Sequence, residues 1–185
     1  MKRLIIDDRL IHSEADYSLI RGALENFGTA FWVLHADQRT ERITRALQWM
    51  AQNFKDHAKV VDATGMTGVK SREENPAKVQ HVATDAGCGR VPPGYASTDV
   101  MKYADEHSTT DPYVPWQLCS GFAHGRPWAS LGMNEIQHVP GQQQDEVVTV
   151  SITADYTRLL AVTLPAFHPM SDVLKRFDEL SKSPT

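Results

Sequence analysis

The sequence predicts a single all-α domain, a helical bundle of five or six helices, and three features carry that prediction. Two long stretches place apolar residues at three- and four-residue steps and are separated by only a few polar residues. Capping residues, prolines and glycines then divide the rest of the chain into helix-sized pieces. The one β-branched run, "VVTVSIT" at 147–153, cannot make a stable sheet alone, so at most one minor β element is expected there.

The first helix begins near Ser13, where Ser13 and Asp16 stand like a capping box with aspartate in place of the usual glutamate. Leu19, Ile20, Ala23, Leu24, Phe27, Ala30, Phe31 and Leu34 follow at helical spacing as far as about His35. Gly22 and Gly28 each lower its propensity by roughly 1 kcal/mol, so both are read as permitting close approach of a neighbouring helix. Asp37 is the expected N-cap of the second helix, whose stripe of Ile43, Ala46, Leu47, Met50, Phe54, Ala58 and Val61 runs to about Asp62. The short "ADQ" link folds the pair into an antiparallel hairpin.

Residues 64–74 lack periodicity and read as a loop. Asn75 and Pro76 mark the N-cap and first turn of a third helix, which Gly87 and Gly89 close. Ser97 or Thr98 is the expected cap of a short helix through about Glu106. Another helix starts near Asp111, with Pro112 and Pro115 in its first turn, and at 125–127 it frays, or kinks and resumes. "HVPGQQQDE" reads as a polar loop. The last helix, over 154–181, contains Pro165 and Pro169, which predict a kink or break near His168.

Composition narrows the function classes. At 185 residues, with 41% hydrophobic and 23% charged content, the chain is an ordinary globular one and not collagenous, coiled-coil or disordered. A net charge of -4 disfavours a general basic surface, leaving a local basic patch as the route to nucleic acid. Cys88 and Cys119 are too few for a disulfide framework and suit free thiols in a reducing cytoplasm. In "MKRLIIDDRLIH" a short apolar run meets two aspartates, which does not suit a signal peptide, and no window approaches the ~20 apolar residues of a membrane span. A cytoplasmic protein without a membrane partner is expected.

Chemistry gathers in "CSGFAHGRPWASLG", which sets His124 among small residues with Arg126 just after it. An imidazole titrating near neutrality serves as acid or base. Ser120, one turn earlier, is within reach to select its tautomer, and the alternative is a helix-end histidine in a crowded interface. Arg21 and Glu25, four apart, form either a solvated ion pair or a partly buried pair that lines a cleft. Arg39, Arg42 and Arg45 in "RTERITR" form either a solvated face or, through Arg42 and Arg45, a site for phosphate. Ser120 lacks a G-x-S-x-G elbow, and the histidines are scattered without H-E-x-x-H or C-x-x-C, so neither a hydrolase triad nor a metal site is expected. No cofactor is predicted.

"LIRGALENFGTAFWVLHADQRTERITRAL" resembles the "LLRxALExxxxAxWLL…RxxR" helices of a group of mostly actinobacterial helical proteins, and "WQLCSGFAHGRPW" is similar to their "YRxLSxxAHG" segment. That group resembles HEPN-like domains, bundles that include metal-independent ribonucleases in which an arginine and a histidine act on the RNA backbone. The resemblance implies a HEPN-like bundle that cleaves or binds RNA in a toxin or defence context, with His124 as acid/base and Ser120, Arg126, Arg21 and Glu25 completing the site. It also implies a homodimer that brings two His124 side chains together. Here Gln117 stands where the resemblance calls for arginine, and no arginine lies four to six residues before His124, so the cation must come from elsewhere. Relatives carry a further helix ahead of this region, so residues 1–12 read as a shortened N-terminal segment. The alternatives are a non-enzymatic dimerisation or antitoxin-like module with a cognate protein partner, and a small-molecule pocket between helices near Trp32, Trp116 and Trp128.

Overall fold

The structure is a computed structural model and describes residues 13–66, 74–144 and 147–182. Among these residues it contains seven helices and one β-hairpin. The order is α1 (Ser13–His35), α2 (Arg39–Thr64), α3 (Glu74–Asp85), α4 (Ser97–His107), α5 (Tyr113–Ala123), α6 (Pro127–Met133), β1 (Asn134–Gln144), β2 (Val147–Ala154) and α7 (Tyr156–Ser181). No helix among the described residues is long and apolar enough to cross a membrane.

α1 is the hub, packed by α7, α5 and α4 and more sparingly by α2. Its apolar residues recur at three- and four-residue steps, so one face sinks into the bundle. Tyr17, Ile20 and Leu24 meet Met101 of α4, Trp116, Cys119 and Phe122 of α5, Ala129 of α6, and Leu159, Val162 and Ala166 of α7. Gly28 lets α4 approach, because a Cβ there would lie 2.5 Å from Met101 Sδ; Gly22 has nothing within 4 Å, so its expected packing role is not found. A second, smaller core joins α2 to α3 through Leu47, Val79 and Ala83, flanked by Ile43, Ala51, Phe54, Cys88 and Val91.

The seventh helix arises because the chain does resume beyond residue 125. Gly125 turns left-handed at φ 60° and Pro127 starts α6 at its first turn, where a missing N–H costs little. "HVPGQQQDE" is not a loop over 138–144 but part of β1, which pairs antiparallel with β2 from Asn134↔Ala154 onward. β2 is almost wholly exposed, so this hairpin is held by its ladder more than by a buried face and leaves no clean alternation to read.

Several termini differ from expectation. Gln38, not Asp37, precedes α2; Ala96, not Ser97 or Thr98, precedes α4; Pro112 precedes α5; and none of the three makes a side-chain cap bond. α3 starts at Glu74, so Asn75 and Pro76 lie inside its first turn. Residues 1–12 and the side chain of Ser13 lie outside the described residues, and the shortened-segment and capping-box expectations with them. α7 is capped by Asp155, which accepts from the Thr157 N–H at 2.7 Å, and it runs unbroken through Pro165 and Pro169. Burial of Leu159, Val162, Ala166 and Pro169 offsets the two lost backbone bonds.

At the far end of α1, His35 sits at a junction of α1, α2, α4 and α7. Its Nδ1 shares a hydrogen bond with the Tyr103 hydroxyl at 2.9 Å, and the Tyr103 ring stacks on His107 at 4.1 Å. The Arg45 guanidinium lies 4.6 Å from the same tyrosine ring, and Arg176 Nε donates to the Leu34 carbonyl. Burial, then His107 and Arg176, then Arg45 hold the His35 pKa below its ordinary value, with Asp37 opposing them. Folding therefore favours neutral His35. Its contribution to stability is full above the unfolded value of about 6.5 and is lost as pH falls from there toward the lower folded value. Denaturation midpoints between pH 7 and 5 should fall less steeply in His35→Gln than in the parent; equal slopes would show that His35 is not the group responsible.

Candidate functional site

α5 carries a stripe of Tyr113, Trp116, Gln117, Ser120, Gly121 and His124, spaced so that one helix face presents all six. That face forms the floor of an open cleft of about 570 Å³. Arg21 of α1, Ser97 and Thr98 from the start of α4, Arg126 from the α5–α6 connection and Trp128 from the first turn of α6 complete its lining.

The connection is built by local backbone chemistry. His124 is the last half-helical residue of α5, and Gly125 follows in the left-handed region at φ 60°. The Arg126 N–H donates to the Gly121 carbonyl at 2.8 Å and the Gly125 N–H to the Phe122 carbonyl at 2.9 Å, the double closure of a Schellman turn. "AHGRP" thus reads as helix end, left-handed glycine and new helix start. It sets His124 and Arg126 on either side of the glycine, both exposed.

Arg21 enters from α1 half-buried. Its Nε donates to Ser120 Oγ at 3.0 Å, and its Nη2 pairs with Glu25 Oε2 at 3.1 Å. Arg21 and Glu25 are a partly buried pair and not a solvated one, but only Arg21 of the two lines the cleft. Glu25 holds Arg21 from behind. Ser120 differs from expectation, since its hydroxyl accepts from Arg21 and does not orient His124.

Arg42 and Arg45 lie elsewhere. Arg42 Nη1 donates to the Ala36 and Asp37 carbonyls at 2.8 and 2.7 Å, closing the turn between α1 and α2. Arg45 donates to the Trp32 carbonyl, pairs with Glu41, and lies over the rings of Trp32 and Tyr103. Both guanidiniums are engaged in holding helices together, and neither lines the cleft. A second groove, of about 510 Å³ between α2, α3 and residues 90–93, is mainly apolar and contains none of the predicted site residues.

Sequence reasoning leaves Tyr113 out and does not join Trp116, Gln117 and Trp128 to His124: it assigns the two tryptophans, with Trp32, only to a separate small-molecule pocket, and Trp32 does not line this cleft. The signal was available for three of them, because Tyr113, Trp116 and Gln117 share a helical period with Ser120 and His124. Gln117 Nε2 donates to the Tyr113 hydroxyl at 2.9 Å, so the residue standing in place of arginine holds a phenol at the cleft wall. Ser97 and Thr98 come from α4, and only the tertiary fold brings them in. Cys119 lies behind this face, fully buried; burial pushes its thiol up to about 12, against a smaller opposing pull from Arg21, so it is no nucleophile. Among the described residues no three His, Cys, Asp or Glu side chains converge as a metal-holding group.

The arrangement thus offers two guanidiniums, one imidazole, one phenol and exposed indole surface around one opening. No family model matches the chain, and no curated protein or solved structure matches it.

Proposed function

We propose that this cleft binds the backbone of single-stranded RNA and cuts it without a metal, as the resemblance to HEPN-like helical proteins implies. The observation that carries the reading is the meeting of Arg21, His124 and Arg126 on one open cleft, although they come from α1 and from both sides of Gly125. Guanidiniums bind phosphate through paired N–H groups, and a neighbouring imidazole is the usual group for moving a proton near neutral pH.

In this reading His124 takes the proton of a ribose 2′-hydroxyl. The 2′-oxygen forms its bond to phosphorus as the 5′-oxygen departs, while Arg126 and Arg21 balance the added negative charge. The departing oxygen needs a proton in turn. Tyr113, whose oxygen accepts from Gln117 and whose own O–H is left to donate, is the second proton carrier on the cleft wall. Trp128 exposes about half of its surface at the same opening and offers an aromatic face on which a base stacks.

The test is cleavage of a labelled single-stranded RNA in the presence of a chelator. The parent is expected to cut. His124→Ala, confirmed as folded by circular dichroism, is expected to lose on the order of 10²- to 10⁴-fold in rate, the range of general acid–base catalysis. Arg126→Ala is expected to weaken RNA binding and flatten its salt dependence. A folded His124→Ala that cuts as well as the parent, or a parent that does not cut, removes the catalytic reading.

One observation favours a second, non-enzymatic reading. Arg21 already bonds Ser120 and Glu25, and this tie joins α1 to α5 without any ligand. A regulatory, antitoxin-like module whose cleft recognises a cognate protein fits that tie. RNA neither cut nor bound by the parent would favour it.

A further inference from the structure

α7 has two apolar faces, and only one of them is covered. Leu159, Val162, Ala166 and Pro169 are buried toward the bundle. On the adjoining face Tyr156, Leu160, Leu164, Phe167, Leu174 and Phe177 are each 49–58% exposed. At about 100° per residue these six fall within an arc of about 140° and make one continuous stripe along the helix. Scattered exposed leucines mean nothing; six large apolar side chains in a line form the kind of patch that marks an interaction surface.

We infer that this stripe is the interface of a two-fold symmetric dimer, with α7 of one copy lying antiparallel on α7 of another. The reason for choosing a second copy over any other occupant is the order of the residues. Read outward from Phe167, the face meets Leu164, Leu160 and Tyr156 in one direction and the half-buried Met170, then Leu174 and Phe177, in the other. The steps match to within one residue, so the face is nearly palindromic. A two-fold interface requires such self-complementarity, because the same patch must serve both sides. Antiparallel packing centred on Phe167 sets Phe167 on the partner's Phe167, Leu164 on the partner's Met170, Leu160 on the partner's Leu174, and Tyr156 against the partner's Phe177.

Area points the same way. Each half-exposed side chain carries on the order of 100 Å², so two copies cover about 1,200 Å² in all, the lower bound of stable interfaces. Charges are confined to the rim: over 156–171 the only Lys, Arg, Asp or Glu is Arg158, which pairs with Asp155 of its own chain and lies off the stripe, while toward the far end Asp178 falls within the arc beside Phe177 and Lys175 borders it. No α7 residue lines the His124 cleft. The dimer therefore leaves both clefts open, and its existence does not depend on what they bind.

The test is sedimentation velocity on the full chain at about 1–50 μM, where dimers at the weaker end of this size class dissociate. The parent is expected to sediment as a dimer. Phe167→Glu, an exposed position whose change leaves the helical circular dichroism intact, is expected to weaken association at least about 30-fold. In a Cys88→Ser background, Phe167→Cys is expected to form a disulfide with its own counterpart on oxidation, since only a residue near the two-fold meets itself. A parent that stays monomeric throughout overturns the inference, as does a dimer untouched by Phe167→Glu. A dimer whose Phe167→Cys form does not cross-link overturns the antiparallel register.

Discussion

Replacing Tyr17 with alanine is expected to cost about 3–5 kcal/mol, while replacing it with phenylalanine is expected to cost nothing or to stabilise slightly. Tyr17 is 1% exposed, and its ring lies parallel to Phe122 with centroids 3.9 Å apart, joining α1 to α5 at the centre of the larger core. Alanine would remove that stack and leave a cavity between helices already held by Leu24 and Cys119. The hydroxyl is another matter. It is buried without a hydrogen-bond partner, and burial, reinforced by Cys119 and Asp155, pushes its pKa up to about 12. A buried unpartnered hydroxyl costs about 1–3 kcal/mol, which phenylalanine would recover. Urea denaturation at constant m-value measures both changes. A Tyr17→Phe protein less stable by more than 1 kcal/mol, on the scale of a lost hydrogen bond, would mean that the hydroxyl is satisfied after all.

The second large effect is expected at Gly121. A Cβ at this position would lie 2.7 Å from the Ala129 Cβ, 2.7 Å from Trp128 Cζ2 and 2.9 Å from Trp128 Cη2. Ala129 is fully buried and its Cβ is fixed to the α6 backbone, so α6 itself would have to move. Gly121→Val is expected to lose about 1–3 kcal/mol or more through overpacking. At this chain length that lowers the melting temperature by about 2–4 °C for each kcal/mol. Because α6 carries Trp128 into the cleft, the RNA binding proposed for that cleft is expected to weaken together with stability. Gly22→Ala supplies the control: with nothing within 4 Å, it should stabilise α1 by up to about 1 kcal/mol. Equal effects at the two glycines would refute the role of close packing at Gly121.

The helices were legible where apolar spacing is strong. α1 ends at His35, just past the last residue of its stripe, and α2 extends two residues past the expected Asp62 because Gly65, left-handed at φ 66°, ends it. Caps were not legible, because Asp37, Ser97 and Thr98 have the right chemistry but sit one or two residues away from the cap positions, which Gln38 and Ala96 occupy. β1 was hidden because glutamine, histidine and proline give no β-type alternation, and pairing with Val147–Ala154 decides its conformation. The unbroken course of α7 depends on burial against α1, which outweighs the local cost of two prolines.

At the site, His124, Ser120 and Arg126 were legible from one short segment whose turn chemistry is local. Arg21 was visible as half of an ion pair, yet its bond to Ser120, 99 positions away, belongs to the tertiary fold. The same distance explains why Ser120 was assigned to the wrong neighbour. From sequence only the residue one turn away can be seen, and a guanidinium from another helix competes for the hydroxyl unseen.

Because the α2–α3 core and the α1-centred core share no buried residue, the chain holds two partly separate reserves of folding free energy. Substitutions around Val79 and Ala83 have no packed neighbour in common with those around Leu24 and Phe122, so their effects should sum without coupling. Drift on the α3 side can then accumulate with little mechanical consequence for the walls that surround His124. The two ends of the molecule can accordingly evolve at different tempos.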